Sequence, residues 1–174
     1  MRNKILFFLI NLSLIVNFTF AQKFGYVNTD FILTQMSEYQ GALKEINTIS
    51  KAWEKEISDM YNETEKKEIA LKAEKILLTE EMYKEKRKKI DEEWGEIKKY
   101  QEKIFGLDGL FFLKKKELIK PIQDIVFESI EKVAKKNRLQ IVFDKSSGPT
   151  LIYTNPIHDY TDYVLEDLGL IENN

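Results

Sequence analysis

The 174-residue chain contains no cysteine and a single histidine, His158. The first absence removes disulfides and any thiolate nucleophile. Together they remove His/Cys zinc clusters. A Ser-His-Asp triad would rest on His158 alone, and that residue stands beside Asp159 in a turn, where it reads as a surface or capping residue. No GxxxxGK[ST] phosphate loop occurs. Acidic runs such as Glu80–Glu81 and Asp91–Glu92–Glu93 put neighbours on different sides of a helix, so they do not pair as general acid and base. These gaps point away from an enzyme, and neither a metal nor a cofactor is expected. A surplus of positive charge is missing too. The chain has 27 Lys+Arg against 29 Asp+Glu, whereas general nucleic-acid binding calls for a basic surface. Glycine and proline are scarce, at 7 and 3, and few fall in the long middle of the chain.

One apolar run is present. "MRNK" carries two positive charges, "ILFFLINLSLIVNFTF" follows, and "TFA" closes it with small residues at Thr19 and Ala21. This is the layout of a cleaved secretory signal, residues 1–21, with Gln22 starting the mature protein. A membrane anchor wants about 20 apolar residues, and this run is shorter and interrupted by Asn11 and Asn17. Removing Arg2 and Lys4 with the signal leaves 25 Lys+Arg against 29 Asp+Glu, a net charge of −4. A small secreted domain without disulfides needs another source of stability, and oligomerisation is the usual one.

The mature chain begins with "KFGYV", a short strand, and a helical turn carrying Phe31, Ile32 and Leu33. From Ser37, Leu43, Ile46, Ile49, Trp53, Ile57 and Met60 recur in steps of three and four, the stripe of an amphipathic helix. "KILLTEEMYKEK" reads as a break with Thr79 as N-cap. A second stripe runs through Ile90, Trp94, Ile97, Tyr100, Ile104, Leu107 and Phe111 to Val133. Gly106, Gly109 and Pro121 are expected as kinks within that one helix. Helices of about 40 and 55 residues make an antiparallel hairpin, whose arm is about 60 Å long at ~1.5 Å per residue. A turn at Leu78–Thr79 sets Ile46 near Phe111, Trp53 near Ile104 and Met60 near Ile97. Beyond Asn137, "LQIVFD" and "LIYT" read as strands of a hairpin turned by "KSSGPT". A short helix capped at Asp159 or Thr161 follows, carrying Tyr163, Val164, Leu165 and Leu168.

The expected fold is therefore α+β. Residues 22–36 and 137–174 form a small β body, with one N-terminal strand and a C-terminal hairpin, and residues 37–136 form a long antiparallel helical hairpin. This order resembles the Skp (OmpH-type) family of periplasmic chaperones, in a form similar to that of Bacteroidetes-like bacteria. The resemblance rests on "FGYVNTDFIL" at the start, "ILLTEE" at the turn, "FGLDGLFF", "IVFDKS", and "DYTDYVLEDL" near the end. It implies a jellyfish-like homotrimer in the periplasm, with strands from three subunits in one body. Helical tentacles would enclose a cavity that holds unfolded outer-membrane β-barrel proteins without ATP. The family's best-known members are strongly basic on the tentacles. Here Lys and Arg only balance Asp and Glu between Gln40 and Lys135, so contact with a membrane surface is expected to be weak.

Three groups of candidate residues follow. "IFGLDGLFFL" is apolar on more sides than one partner helix covers, which makes Phe105, Leu110, Phe112 and Leu113 candidates for client contact. Lys84, Lys86, Arg87, Lys88 and Lys89 form a basic cluster just past the turn, whose plainer reading is a solvated helix face. Phe24, Tyr26, Ile141, Phe143, Leu151 and Tyr153 are the strand residues expected to share the trimer core. Trp53 and Trp94 lie in the stripes and read as hairpin core. The competing function is a structural coiled-coil adaptor of the envelope, which would not need strands at both ends of the chain.

Overall fold

The computed structural model describes residues 22–148 and 151–172. The expected signal peptide and the last two residues of the expected turn, Pro149 and Thr150, lie outside them. The chain divides into two compact units. One joins the N-terminal residues up to Thr29 with Ser129–Asn174; the other is Asp30–Glu128.

In the first unit, strands β1 (Phe24–Val27) and β2 (Ile141–Asp144) pair in parallel, with Tyr26 opposite Phe143. A parallel pair cannot be closed by a tight turn and needs a long crossover. The whole helical hairpin is that crossover, which is why one strand precedes the helices and its partner follows them. The expected C-terminal β-hairpin does not form. Leu151–Thr154 makes no strand, and Ile152 and Tyr153 are exposed. The edge of β1 away from β2 is instead met by the segment after "LIYT": Tyr26 bridges to Asp159, and the Tyr160 amide donates to the Tyr26 carbonyl at 2.9 Å. Tyr160 also lies over Gly25, where a Cβ would stand 2.5 Å from its ring. The closing helix, Thr161–Asp167, buries Val164 and Leu165. Its N-cap position is Tyr160, not the expected Asp159 or Thr161; Asp159, one residue earlier, accepts from the Thr161 amide at 2.9 Å.

In the second unit, the short helix α1 (Thr29–Gln35), which starts at the unit boundary, leads into α2 (Ser37–Glu74). A 3-10 turn at Lys75–Leu77 and the N-cap Thr79 then open α3 (Glu80–Phe105). The Thr79 hydroxyl accepts from the Met82 amide at 3.3 Å, as expected of a cap. The buried seam between α2 and α3 is narrow. It consists of Ile57, Thr64 and Leu71 on one helix and Ile90, Ile97 and Ile104 on the other, each set spaced by seven. That is the repeat of a coiled coil, in which one polar seam residue fixes register at some loss of stability. Thr64 is the polar residue of this seam; its hydroxyl donates to Glu93 at 3.3 Å. Trp53 meets Phe105, one residue from the expected Ile104, with ring centroids 6.4 Å apart and the rings perpendicular.

The return arm is not one kinked helix. α3 ends at Phe105, and α4 (Leu110–Asn137) begins after a four-residue break. A Cβ on Gly106 would strike the Glu102 carbonyl, and one on Gly109 would lie 2.5 Å from the Ile104 carbonyl oxygen. Asp108 adopts a left-handed φ of 57°. The break costs the second stripe a member: Leu107, expected on the buried face, is 99% exposed. Pro121 sits inside α4 without ending it. α4 stops in a Schellman arrangement, with Arg138 at φ 56° and the Leu139 amide donating to the Ala134 carbonyl at 2.9 Å.

Candidate functional surfaces

The break positions the first candidate group. Phe105 packs its ring against both Trp53 and Phe111, 5.6 Å away in the second case, and still leaves an edge in solvent. Leu110, Phe112 and Leu113, in the first turn of α4, are exposed. Two groups escaped the sequence reading. Leu107 projects from the break. At the hairpin turn, Ile76 and Leu77 are 94% and 85% exposed. The apolar "ILL" at a turn was the available signal for the second group. The helical stripe concealed the first, because periodicity assigns Leu107 a buried place that the two glycines take away.

The basic cluster does not stand free. Lys84 pairs with Glu80, Lys86 with Glu74, Lys88 with Glu92, and Lys89 with Glu85. Arg87 joins Asp91 on its own helix to Glu68 on α2, at 2.9 and 3.0 Å. These two carboxylates raise the Arg87 pKa, and Lys72 and Arg87 hold the Glu68 carboxyl below its ordinary range. Trp94 donates to the other Glu68 oxygen at 3.3 Å. The cluster is thus a solvated, ion-laced face of the hairpin. Exposed pairs of this kind contribute little to stability because water and salt screen them.

In the strand unit, Phe24, Ile141 and Phe143 are exposed, while Tyr26, on the same face of the sheet, is 5% exposed and belongs to the chain's own core. Phe24, Phe143, Leu151 and Tyr153 line one cleft of about 280 Å³ with His158. His158 stacks on Phe24 at 4.6 Å between ring centroids. It is therefore part of this apolar surface, a role that the turn reading did not foresee. Beside the cleft, Asp144 at the end of β2 gathers five donors. Its carboxylate accepts from the amides and hydroxyls of Thr29 and Ser146 and from the Ser147 hydroxyl. Burial raises its pKa, but the hydrogen bonds outweigh burial and bring it down to about 2.

The model of the outer membrane protein (OmpH-like) family matches residues 23–168. The chain belongs to the OmpH-like family. The match spans both units and therefore both apolar surfaces. The fold agrees with a crystal structure of an OmpH-like protein from Caulobacter crescentus CB15. The TM-score is 0.68 at 11% identity, over 86% of this chain and 84% of that one. No curated protein sequence matches it. With so few identities, the agreement with that structure carries the architecture and not particular side chains. The OmpH-like family is one of chaperones, and the exposed apolar groups on both units of this OmpH-like chain are surfaces of the sort that bind other chains. Among the described residues, no helix is long and apolar enough to cross a membrane, and no cluster of three His, Cys, Asp or Glu could hold a metal.

Proposed function

We propose that this OmpH-like chain is a periplasmic holdase that binds unfolded outer-membrane β-barrel proteins without ATP. The observation that supports this most is the exposed apolar set at the break, Leu107, Leu110, Phe112 and Leu113, on a hairpin whose basic cluster is paired with its own carboxylates. A holdase needs many weak contacts that sum by avidity, not one closed pocket. A homotrimer would bring three such hairpins around one client. The exposed Phe24, Ile141, Phe143 and Tyr153 of the strand unit, with the half-buried Leu151, are the surface that subunits would bury together, along with the free backbone of an edge strand. The neutralised cluster from Lys84 to Lys89 supports at most weak attraction to anionic lipid.

Light scattering of an unfolded β-barrel protein, with and without the purified chain, tests the central claim. Suppressed aggregation is expected. Replacing Phe105, Leu110 and Phe112 by Ser should reduce the protection more than the helix content. Sedimentation equilibrium at micromolar concentration tests the assembly. A trimer mass is expected for the mature chain and a monomer for Phe143→Asp; a monomer mass for the unaltered chain rejects the assembly.

A further inference from the structure

The side of the hairpin beyond the break carries an open groove of about 540 Å³, lined by Glu54, Ile57, Ser58, Tyr61, Gln101 and Phe105. Of these residues only Phe105 was expected to face a partner. The groove is shallow and open to solvent, so it can seat one side of an extended chain but does not enclose a small molecule. Its walls are held in place. Phe105 is fixed edge-on against Trp53, and Tyr61 lies 5.5 Å from the Trp94 ring while its hydroxyl donates to Gln101 at 3.1 Å. The lining contains one formal charge, the Glu54 carboxylate, which accepts from Ser50 at 2.8 Å and is otherwise turned to solvent. No Lys or Arg lines the groove. Two rigid aromatic walls and a single carboxylate suit a side chain that is apolar along its length and bears, or neighbours, a positive charge.

We infer that this groove is a docking site for an extended polypeptide segment in which an aromatic side chain stands next to Lys or Arg. The inference rests on the holdase reading and gives the binding a preference. Most client contacts would be nonspecific, and this one would read charge. The aromatic ring would enter between Tyr61 and Phe105, and the flanking cation would meet Glu54. An acidic neighbour would be repelled by the same carboxylate.

The test uses three short fluorescein-labelled peptides that share one central Tyr and differ in its flanking residues: Lys, Gln or Glu. Anisotropy titration of the mature chain should rank their affinity Lys above Gln above Glu, with several-fold steps of the size that one exposed charge pair produces. Glu54→Lys should reverse the order, and Phe105→Ala should weaken all three about equally. Circular dichroism shows whether each variant keeps its helices. The inference falls if Glu54→Lys leaves the order unchanged, or if a folded Phe105→Ala binds all three peptides as the unaltered chain does. The β-barrel scattering assay separates this result from the larger reading. A chain that ranks the peptides but protects no β-barrel keeps the groove and loses the holdase. One that protects but does not rank keeps the holdase and loses the groove.

Discussion

Asp144→Asn should loosen the strand unit and leave the hairpin intact. Asp144 holds the Thr29 hydroxyl at 2.7 Å and the Thr29 amide at 3.2 Å, so it ties the end of β2 to the start of α1. A carboxyl moved from 3.8 to about 2 by these bonds would correspond to at most ~2.5 kcal/mol at neutral pH, and solvent screening at this partly exposed site brings that to about 1 kcal/mol. The pKa is depressed by folding, so the contribution is complete above the unfolded value near 4. It is lost as the pH falls toward 2. Hydrogen exchange of the peptide 22–29, measured beside the unaltered chain at each pH, reads the effect with intrinsic rates cancelled. At pH 7 Asp144→Asn should exchange roughly 5-fold faster there, and the difference should shrink steadily below pH 4. Equal exchange at pH 7, or a difference that persists to pH 2, refutes the assignment of stability to this carboxylate.

Two further outcomes follow from the helices. Gly95→Ala meets open space inside α3 and should stabilise the hairpin by about 0.5–1 kcal/mol, whereas Gly109→Ala, with its Cβ 2.5 Å from the Ile104 carbonyl, should destabilise it; paired thermal melts should move in opposite directions. Thr64→Val removes the polar residue from the seam and should stabilise the hairpin by about 0.5–1 kcal/mol, read as a higher urea midpoint, and a lowered midpoint would show that the bond to Glu93 outweighs the apolar gain.

What the sequence made legible was the part governed by local periodicity and capping. The hairpin, its turn and the Thr79 cap follow from residues within a few positions of one another. The strand unit was less legible because its bonds are remote in sequence. The acceptor for the Thr29 amide is Asp144, and no local pattern announces that. "LIYT" has strand-forming residues wherever it lies, but propensity does not choose a partner: the segment that bonds to the sheet is Asp159–Tyr160, and it bonds to β1. The break shows the opposite limit. Glycine's helix penalty, ~1 kcal/mol, is small enough to read as a kink. The helix ends there because two close glycines and a left-handed Asp108 let the chain leave it. Charge composition was legible only as a balance. Which lysine meets which carboxylate depends on helix register, and this is why a run read as basic turned out to be paired.

The two units should also depend on each other unequally. β1 and β2 are four residues each, and so small a sheet is not stable alone. Their pairing must close the loop between Val27 and Ile141. Closing such a loop as open chain costs about 2 kcal/mol more than closing a loop of ten residues, by the ~(3/2)RT ln n rule. A folded hairpin removes most of that difference, because α2 and α3 return the chain toward its start through contacts local to the turn. The hairpin should therefore form first and the sheet second. Ile97→Ala tests this, since Ile97 is 2% exposed in the seam and its truncation should cost the hairpin about 2–5 kcal/mol. In urea, exchange protection of the strand amides 24–27 and 141–144 should then be lost at the same lowered midpoint as that of α3. Asp144→Asn should uncover those strand amides while α3 keeps its midpoint. Strands that hold their original midpoint in Ile97→Ala would show that the sheet does not need the hairpin to close it.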